Sequence, residues 1–267
     1  MTASDPDNPP PAWTDQLLAN PHAVADKPAR VRRMFAAIAP SYDLNNRLHS
    51  LWLDQHWRAV AVRVAAPRGE DVVLDVACGT GDLTLKFAAA IACQQPYHDA
   101  QIVGLDYTYE MLPLARAKVG RDTRLRFQDA RVQFIQGDAQ RLPLPAASAD
   151  IVSIAFGIRN VADFAGAIRE FTRVLRPGGR LVILEFSLPT NALLRWLYNL
   201  YFRRIVPVTA TLISGDKTGA YKYLPESVNT FISRTAMTDA MAAAGLRDLV
   251  AIPLTCGVCV CYRGIKP

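Results

Sequence analysis

The chain has 267 residues, of which 51% are hydrophobic and 20% charged, a balance expected of one large α/β domain. It shows no signal peptide and no uncharged apolar stretch of spanning length, so we expect a cytoplasmic protein that is not integral to a membrane. The five cysteines lack a paired metal spacing, which predicts reduced thiols and no bound metal. The net charge of +6 is mildly basic, but no recognised RNA-binding pattern accompanies it, and we predict no nucleic-acid partner.

The N-terminal part of the chain divides into two segments. Residues 1–28 are rich in Pro, Ala, Asp and Asn, which predicts a disordered leader. Residues 29–267 then form a single domain. Its first segment, residues 29–66, carries aromatic and amide side chains ahead of the first predicted strand. We assign this segment as a helical lid over a site, with a purely structural helix pair as the alternative.

A glycine turn that follows an apolar strand is the clearest local signal. Val72–Val76 is typical of a buried parallel strand, and Gly79 and Gly81 lie in the turn after it. Glycines let the backbone approach a ligand closely, and the helix that follows offers free N–H groups. Asp75 precedes the turn and no phosphate-binding Lys follows, which favours a ligand with a cationic amino-acid end and a nucleoside end. S-adenosylmethionine is such a ligand.

Two further acids lie where later strands are expected to end. Asp106 follows the predicted strand at residues 102–105, where an acid can accept both ribose hydroxyls. Asp138 follows the predicted strand at residues 132–135 and suits the adenine amino group. Because the carboxyl ends of parallel strands share one edge of a sheet, the three acids predict one ligand lying across that edge.

The core of the chain alternates strands and helices, which predicts right-handed crossovers and a mostly parallel sheet with helices on both faces. The predicted strands lie at residues 72–76, 102–105, 132–135, 150–156 and 180–186, and the helices at 83–92, 110–119 and 164–175. A helix at 226–244 should precede two closing strands at 248–252 and 258–262. These two strands should pair antiparallel at the sheet edge, a finish typical of class I methyltransferases.

Residues 188–227 interrupt this alternation as a capping insertion. Within it, residues 191–213 are aromatic and aliphatic but carry Arg195, Arg203 and Arg204, which a membrane-spanning helix would not tolerate. The pattern predicts an amphipathic helix that caps the site or rests on a membrane surface, with a helix that simply packs on its own domain as the alternative. Residues 215–223 are typical of a loop.

Several segments resemble the ubiquinone/menaquinone biosynthesis C-methyltransferases (the UbiE/MenG family). The resemblance rests on Tyr-Asp-Leu-Asn-Asn at residues 42–46, Phe-Gly-Ile-Arg-Asn-Val at 156–161 and the Pro-Gly-Gly turn at 177–179. It continues at 221–227 and 254–258. The run at 156–161 is much more specific than the glycine turn, and the likeness covers about residues 33–266. The fold implied is the Rossmann-like sheet of class I methyltransferases.

This resemblance implies a reaction and a set of binding residues. The reaction is methylation of a ring carbon of a polyprenylated quinol, above all demethylmenaquinol, with S-adenosylmethionine as co-substrate and without a metal. Such a substrate implies peripheral contact with the inner face of the membrane. Thr80, Asp106, Asp138 and Ala139 match positions that bind S-adenosylmethionine in the family. With the glycine turn, the predicted cofactor residues are Asp75, Gly79, Thr80, Gly81, Asp106, Asp138 and Ala139.

Three residues are predicted to serve the reaction itself. Arg159 is our candidate for stabilising the phenolate, because a guanidinium is charged and rich in donors. It is a poor direct base, since its pKa stays above about 12. Asn160 can hold the second ring oxygen, and Tyr42 can close on the ring or on the sulfonium. A structural salt bridge for Arg159 and a packing role for Tyr42 are the alternatives, and His49 and His56 stay open as bases.

The chain departs from the family pattern at three positions. Asn45 stands where Met is usual, Asp54 where His is usual, and Ala155 where several members have Ser. The first two change the lid, and the third removes a side-chain contact to the cofactor. The runner-up function is methylation of another phenol or amine, followed by RNA modification or binding and by a non-catalytic scaffold. Naphthoquinol or benzoquinol, tail length, and monomer or homodimer stay open at this point.

Overall fold

A central β-sheet organises the fold in the computed structural model, which describes residues 11–94, 100–121 and 131–267. Residues 1–10, which begin the predicted leader, lie outside these ranges. The strands are β1 (Val72–Val76), β2 (Gln101–Asp106), β3 (Arg131–Gln136), β4 (Ala149–Ala155), β5 (Leu175–Phe186), β6 (Arg247–Leu254) and β7 (Cys259–Ile265). Within the described residues, these strands form one seven-stranded sheet in the spatial order β3-β2-β1-β4-β5-β7-β6.

The direction of the strands agrees with the sequence-based expectation. The pairs among β1 to β5 are parallel, whereas β7 runs antiparallel to β5 and to β6. The predicted mostly parallel sheet with an antiparallel final strand is therefore confirmed, and β6 forms the sheet edge. The strand order reverses between β1 and β4, so the loops after these strands diverge and leave a crevice at their carboxyl ends.

Helices cover both faces of the sheet, as expected. They are α1 (Asp15–Leu18), α2 (Lys27–Ile38), α3 (Tyr42–Ser50), α4 (Leu53–Ala65), α5 (Asp82–Ala92), α6 (Leu112–Arg121), α7 (Phe164–Val174), α8 (Ala192–Leu200), α9 (Val206–Ser214), α10 (Ala220–Asn229) and α11 (Arg234–Ala243). Successive strand residues point to opposite faces of a sheet. Val73 accordingly belongs to the core that includes α4 and α5, while Leu74 and Val76 belong to the core that includes α7 and α11.

The predicted disorder of the leader is wrong for residues 11–28. Trp13 is buried and stacks on Tyr223 with ring centroids 4.4 Å apart. Its backbone N–H donates to the carbonyl of Thr218 at 3.0 Å. A buried Trp removes roughly 150–250 Å² from water, so one aromatic anchor outweighs the polar composition around it. The segment thereby joins the lid, α2 to α4, to the C-terminal half of the chain.

The capping insertion and the segment after it are more helical than predicted. A π-helical turn at Tyr201–Ile205 joins α8 to α9. The region predicted as a loop contains the start of α10, because Asp216 accepts hydrogen bonds from the N–H groups of Gly219 and Ala220. The single helix predicted at 226–244 is two helices, since Ser233 caps a new start by accepting from the N–H of Ala236.

The insertion packs against the lid through its own apolar core. Val206 and Ala210 of α9 lie in this core with Met34 and Ile38 of α2 and with Tyr221 of α10. Within the described ranges, none of the helices combines the length and the apolar character needed to cross a membrane. Through their shared core the lid and the insertion pack together as one layer.

Candidate active site

A cavity, here called the edge cavity, opens at the carboxyl ends of β1, β2 and β4. Its wall includes Ala77 after β1, Asp106 at the end of β2 and Ala155 at the end of β4. Six residues singled out from the sequence line it: Tyr42, Gly79, Asp106, Asp138, Ala139 and Asn160. The sheet edge thus gathers residues that are distant in the chain, as the strand-end argument predicted.

Asp106 is the best-held polar group of the edge cavity. Its Oδ2 accepts a hydrogen bond from the N–H of Gly79 and its Oδ1 accepts one from the N–H of Thr108, each at 2.7 Å. Burial raises the pKa of its carboxyl, while these backbone bonds oppose the shift. These bonds fix the carboxylate oxygens, which are acceptors suited to hydroxyl groups.

The two glycines of the turn serve different purposes. Gly79 has a positive φ of 55°, and a Cβ built there would lie 3.9 Å from Cε1 of Tyr42, so the tyrosine ring lies close to the turn. Gly81 has a φ of 82° and packs inward, where a Cβ would lie 3.1 Å from the side chains of Ala115 and Phe134. Gly79 lines the edge cavity, whereas Gly81 allows the turn to pack on the sheet.

The predicted contact of Asp75 with the cofactor is not supported by its position. Asp75 is 1% exposed and is not among the described residues that line the edge cavity. Its two oxygens accept hydrogen bonds from Thr84 Oγ1 at 2.6 Å and from Ser153 Oγ at 2.8 Å. Burial raises the pKa of its carboxyl to about 6. Asp75 therefore ties β1 to α5 and to β4, and positions the turn from below.

Thr80 likewise lies outside the described lining of the edge cavity and belongs to a polar cluster. Its hydroxyl donates to Asp43 Oδ1 at 2.6 Å and accepts from Lys118 Nζ at 2.9 Å. In the same cluster Arg47 pairs with Asp82 at 3.1 Å. These contacts fasten α3 of the lid to the glycine turn, a connection that sequence reasoning missed because its charges are far apart in the chain.

A second cavity, here called the inner chamber, lies next to the edge cavity. The two share Phe35, Tyr42 and Phe156 in their walls. Tyr42 meets Phe35 edge-on with ring centroids 5.9 Å apart, and burial raises the pKa of its phenol. Tyr42 is therefore a neutral side chain at the junction of the two cavities.

Arg159 lines the inner chamber and is itself 4% exposed. Its Nη1 donates to Glu185 Oε1 at 2.7 Å and to the carbonyl of Phe156 at 2.6 Å. Burial opposes its charge, but the Glu185 carboxylate together with Tyr223 and Tyr42 offsets this, and the pKa of Arg159 is raised. The salt bridge held open as an alternative is present, and the same guanidinium still forms part of the chamber wall.

Two residues that the sequence analysis missed hold Arg159 in place. Glu185, at the end of β5, also accepts from the backbone N–H of Arg159 at 3.2 Å. Lys27 of α2 donates to the carbonyls of Arg159 and Val161 at 2.8 and 2.9 Å. Burial lowers the pKa of Lys27 to about 8. Lys27 lay in the segment predicted to be disordered, so nothing in its local sequence indicated this role.

Asn160 follows Arg159 directly in the chain, but it faces the edge cavity instead of the inner chamber. It lines the edge cavity, and its Oδ1 accepts a hydrogen bond from the hydroxyl of Tyr223 at 2.9 Å. The tight turn at Ile158–Asn160 sends the two neighbours to opposite sides of the wall between the cavities. Arg159 and Asn160 therefore border the same junction from two sides.

The two histidines considered as bases lie elsewhere. The ring of His49 contacts the carbonyl of Asn45 and the hydroxyl of Thr209, each at 2.8 Å, and His56 is exposed. Neither is among the described residues that line the edge cavity or the inner chamber.

A third cavity, here called the apolar groove, continues the inner chamber. It shares Phe186, Tyr221 and Leu224 with the chamber. Its other wall is built by apolar side chains of the insertion: Leu194, Leu197, Tyr198, Tyr201, Phe202 and Val206. The edge cavity, the inner chamber and the apolar groove thus follow one another beneath the lid and insertion. Across the described residues, no group of three or more His, Cys, Asp or Glu is placed to hold a metal ion.

The strand order, the antiparallel β7 and the acid-lined carboxyl edge define a class I S-adenosylmethionine-dependent methyltransferase fold. A methyltransferase of this kind from Thermotoga maritima matches with a TM-score of 0.56 at 19% identity, over 88% of this chain and 99% of that one. Phosphoethanolamine N-methyltransferase 2 of Haemonchus contortus, solved with S-adenosyl-L-methionine, matches with a TM-score of 0.56 at 14% identity, over 79% and 52%.

The model of the ubiE/COQ5 methyltransferase family matches residues 23–266. The chain is 41% identical over 245 residues to the ubiquinone/menaquinone biosynthesis C-methyltransferase UbiE of Geobacter sp. strain M21, covering 92% of this chain and all of that one. It is 43% identical over 241 residues to the demethylmenaquinone methyltransferase of Deinococcus radiodurans, covering 90% and 94%. The chain belongs to the ubiE/COQ5 methyltransferase family.

Proposed function

We propose that this chain methylates a ring carbon of a polyprenylated quinol in quinone biosynthesis, with demethylmenaquinol as the substrate. The observation that carries the proposal is the continuity of the three cavities, which suit a cofactor, a polar ring and an apolar tail in that order. Relatives named for menaquinone synthesis, including those of Deinococcus radiodurans and Thermus thermophilus, support the choice of a naphthoquinol.

The edge cavity fits S-adenosylmethionine. Asp106 offers fixed carboxylate oxygens to the ribose hydroxyls, Asp138 offers an acceptor to the adenine amino group, and Gly79 leaves room for close approach. When bound, the co-substrate supplies an electrophilic methyl group on a sulfonium. Asp75, Thr80 and Gly81 act indirectly in this proposal, because they shape and fasten the turn.

The residues around the junction suit the chemistry of an electron-rich ring. Arg159 stabilises negative charge on a ring oxygen, as its buried and fixed guanidinium provides donors without reorganisation. Asn160 holds the second ring oxygen from the opposite side of the junction. Tyr42 and Phe156 keep water out and hold the ring against the edge cavity, so that the reacting groups meet in a fixed orientation.

The surface around the apolar groove suits peripheral contact with the inner face of a membrane. Large apolar side chains of the insertion and lid are exposed there: Leu51, Trp52, Leu193, Trp196, Leu197, Leu200, Val208 and Leu212. Arg195, Arg203 and Arg204 are interleaved with them and can meet anionic headgroups. An insoluble prenyl tail could then pass from the bilayer into the groove without crossing water.

The quinone pool of the host tests the proposed function. Removal of the protein should make the demethylated naphthoquinone accumulate at the expense of its ring-methylated product. Re-expression of the wild-type chain should restore the product, and the Asp106→Ala variant should restore less of it. An unchanged naphthoquinone pool after removal of the protein would contradict the proposal.

A further inference from the structure

A carboxylate of the lid forms part of the wall of the inner chamber. Asp54 of α4 is 4% exposed and lines the chamber together with its partner Arg58. Arg58 Nη1 lies 2.7 Å from Asp54 Oδ2, and the Arg58 guanidinium lies over the Phe156 ring, 5.1 Å from its centroid. The pair therefore adjoins the aromatic ring that separates the chamber from the edge cavity.

The hydrogen bonds of Asp54 leave it able to accept another. Oδ1 accepts from the hydroxyl of Ser50 at 2.9 Å, while Oδ2 accepts from Gln55 Nε2 at 3.0 Å and from Arg58. Since each carboxylate oxygen has two acceptor sites, Oδ1 retains one. Ser50 lines the chamber as well, so this end of the carboxylate borders the space that a substrate ring would fill.

The other titratable groups facing the chamber do not suit proton uptake at neutral pH. Arg159 is held in its charged form by Glu185. Burial raises the pKa of Tyr221 and of Tyr223 on α10, as it does for Tyr42, so these phenols keep their protons. Among the described residues that line the chamber, Asp54 is the one carboxylate.

We propose that Asp54 accepts the proton of the ring hydroxyl as the adjacent ring carbon is methylated, and that Arg58 orients it for this role. The inference rests on the proposed function. The hydroxyl O–H bond breaks, a proton–oxygen bond forms on Asp54, and the electron pair left on the ring oxygen moves into the ring. The ring carbon gains the methyl group as the sulfur–methyl bond of the co-substrate breaks, and that electron pair stays on sulfur, so that S-adenosylhomocysteine leaves. The proton of that carbon then leaves to water, and the ring oxygen recovers the proton from Asp54.

This assignment separates two tasks within the chamber. Arg159 stabilises the negative charge that develops on the ring oxygen, and Asp54 removes the proton that would otherwise keep that oxygen neutral. General base catalysis contributes about a hundred- to ten-thousand-fold in rate. Asp54→Asn should therefore lower turnover of a short-tailed demethylmenaquinol about a hundredfold or more, with binding of the quinol changed less than threefold by tryptophan fluorescence.

The test compares two substrates that differ in the acidity of the ring hydroxyl. The second is a ring-fluorinated short-tailed quinol that is ionised at the assay pH and needs no base. The ratio of wild-type to Asp54→Asn turnover should fall from about a hundred to near one with this substrate. With the ordinary quinol, the rate of the Asp54→Asn variant should rise about tenfold per pH unit at pH values below the pKa of the ring hydroxyl. The wild-type rate should change far less over the same range. Asp54→Glu and Asp54→His should each recover part of the lost rate.

A matched control is available in a second buried ion pair. Arg180 Nη2 lies 2.7 Å from Asp71 Oδ2, with the Asp71 side chain 7% exposed, and neither residue lines the described cavities beneath the lid. Asp71→Asn should affect both quinols equally. If Asp54→Asn methylates the ordinary quinol at the wild-type rate, the role of Asp54 is overturned. An equal loss of rate with both quinols would overturn it as well. A wild-type enzyme that methylates neither quinol would instead contradict the proposed function.

Discussion

Arg159 and Glu185 form an ion pair that is almost fully buried, with Arg159 Nη1 2.7 Å from Glu185 Oε1 and both side chains no more than 5% exposed. Glu185 lies at the end of β5 and Arg159 in the turn after β4, two strands that are neighbours in the sheet. The pair fixes a charged donor at the wall of the inner chamber. Removing either partner therefore affects stability as well as chemistry, and the two effects must be separated.

The first prediction separates the effect on stability from the effect on chemistry at Arg159. Arg159→Ala should lower methyl transfer about a hundred- to a thousand-fold, the range for loss of one oxyanion donor. It should also cost about 3–5 kcal/mol of stability, since it leaves Glu185 buried and unpaired. The Arg159→Ala/Glu185→Gln double variant should recover much of the stability and none of the rate. Single-turnover assays and thermal melts measure the two quantities, and recovery of turnover in the double variant would make Arg159 a structural residue.

The second prediction concerns the cofactor residues. Asp106→Ala should weaken S-adenosylmethionine binding by about 1–3 kcal/mol, the range for hydrogen bonds to a charged group. Asp75→Asn should change the affinity much less, because Asp75 is bonded to Thr84 and Ser153 and lies outside the described lining of the cavity. Isothermal titration calorimetry of both folded variants gives the comparison. Equal losses of affinity would return Asp75 to the binding site.

The third prediction is a pH dependence of stability that arises at Asp75. Its pKa of about 6 in the folded protein lies above the value of about 4 expected in the unfolded chain. Between these values the folded state binds one proton more, so the free energy of unfolding falls as pH rises from 4 to 6. The loss amounts to about 3 kcal/mol, at 1.36 kcal/mol per pKa unit. Denaturant melts should show this fall for the wild type and a smaller one for Asp75→Asn; parallel curves would contradict the assignment.

The fourth prediction concerns the exposed face of the insertion. Vesicles of anionic lipid should bind the protein in a salt-sensitive manner, because Arg195 of α8 and Arg203 and Arg204 of the π-helical turn lie among exposed apolar side chains of the insertion. Changing Arg203 and Arg204 to Glu should abolish flotation with these vesicles. The control reverses the charges of the exposed Arg63 and Arg68 near the end of α4. Equal recovery of all three proteins would leave the insertion as a cap without membrane contact.

The sheet and its carboxyl edge could be predicted from sequence because their signals are local. The alternation of apolar strands with helices follows from burial of both sheet faces, and Asp106 and Asp138 follow directly from strand ends. The leader could not be predicted in this way, since the contact of Trp13 with Tyr223 joins residues at opposite ends of the chain. The polar composition of the segment gives no sign of this contact.

Some of the predicted cofactor residues line the edge cavity and others do not, for a related reason. The position of a strand end shows which residues lie near the edge of the sheet. It does not show whether their side chains are already hydrogen-bonded to neighbouring side chains. Asp75 is held by Thr84 and Ser153, and Thr80 by Asp43 and Lys118, and only the folded chain brings these partners together. Local sequence therefore predicted which residues gather near the sheet edge better than which of them line the edge cavity.

Ring methylation of a naphthoquinol can be measured as methyl transfer with the purified protein. S-adenosylmethionine carrying a deuterated methyl group is incubated with short-tailed demethylmenaquinol, and the product is examined by mass spectrometry. We predict one deuterated methyl group on a ring carbon, with formation of S-adenosylhomocysteine in equal amount. Binding of S-adenosylmethionine without any ring methylation of this quinol, or transfer of the label to oxygen, would contradict it.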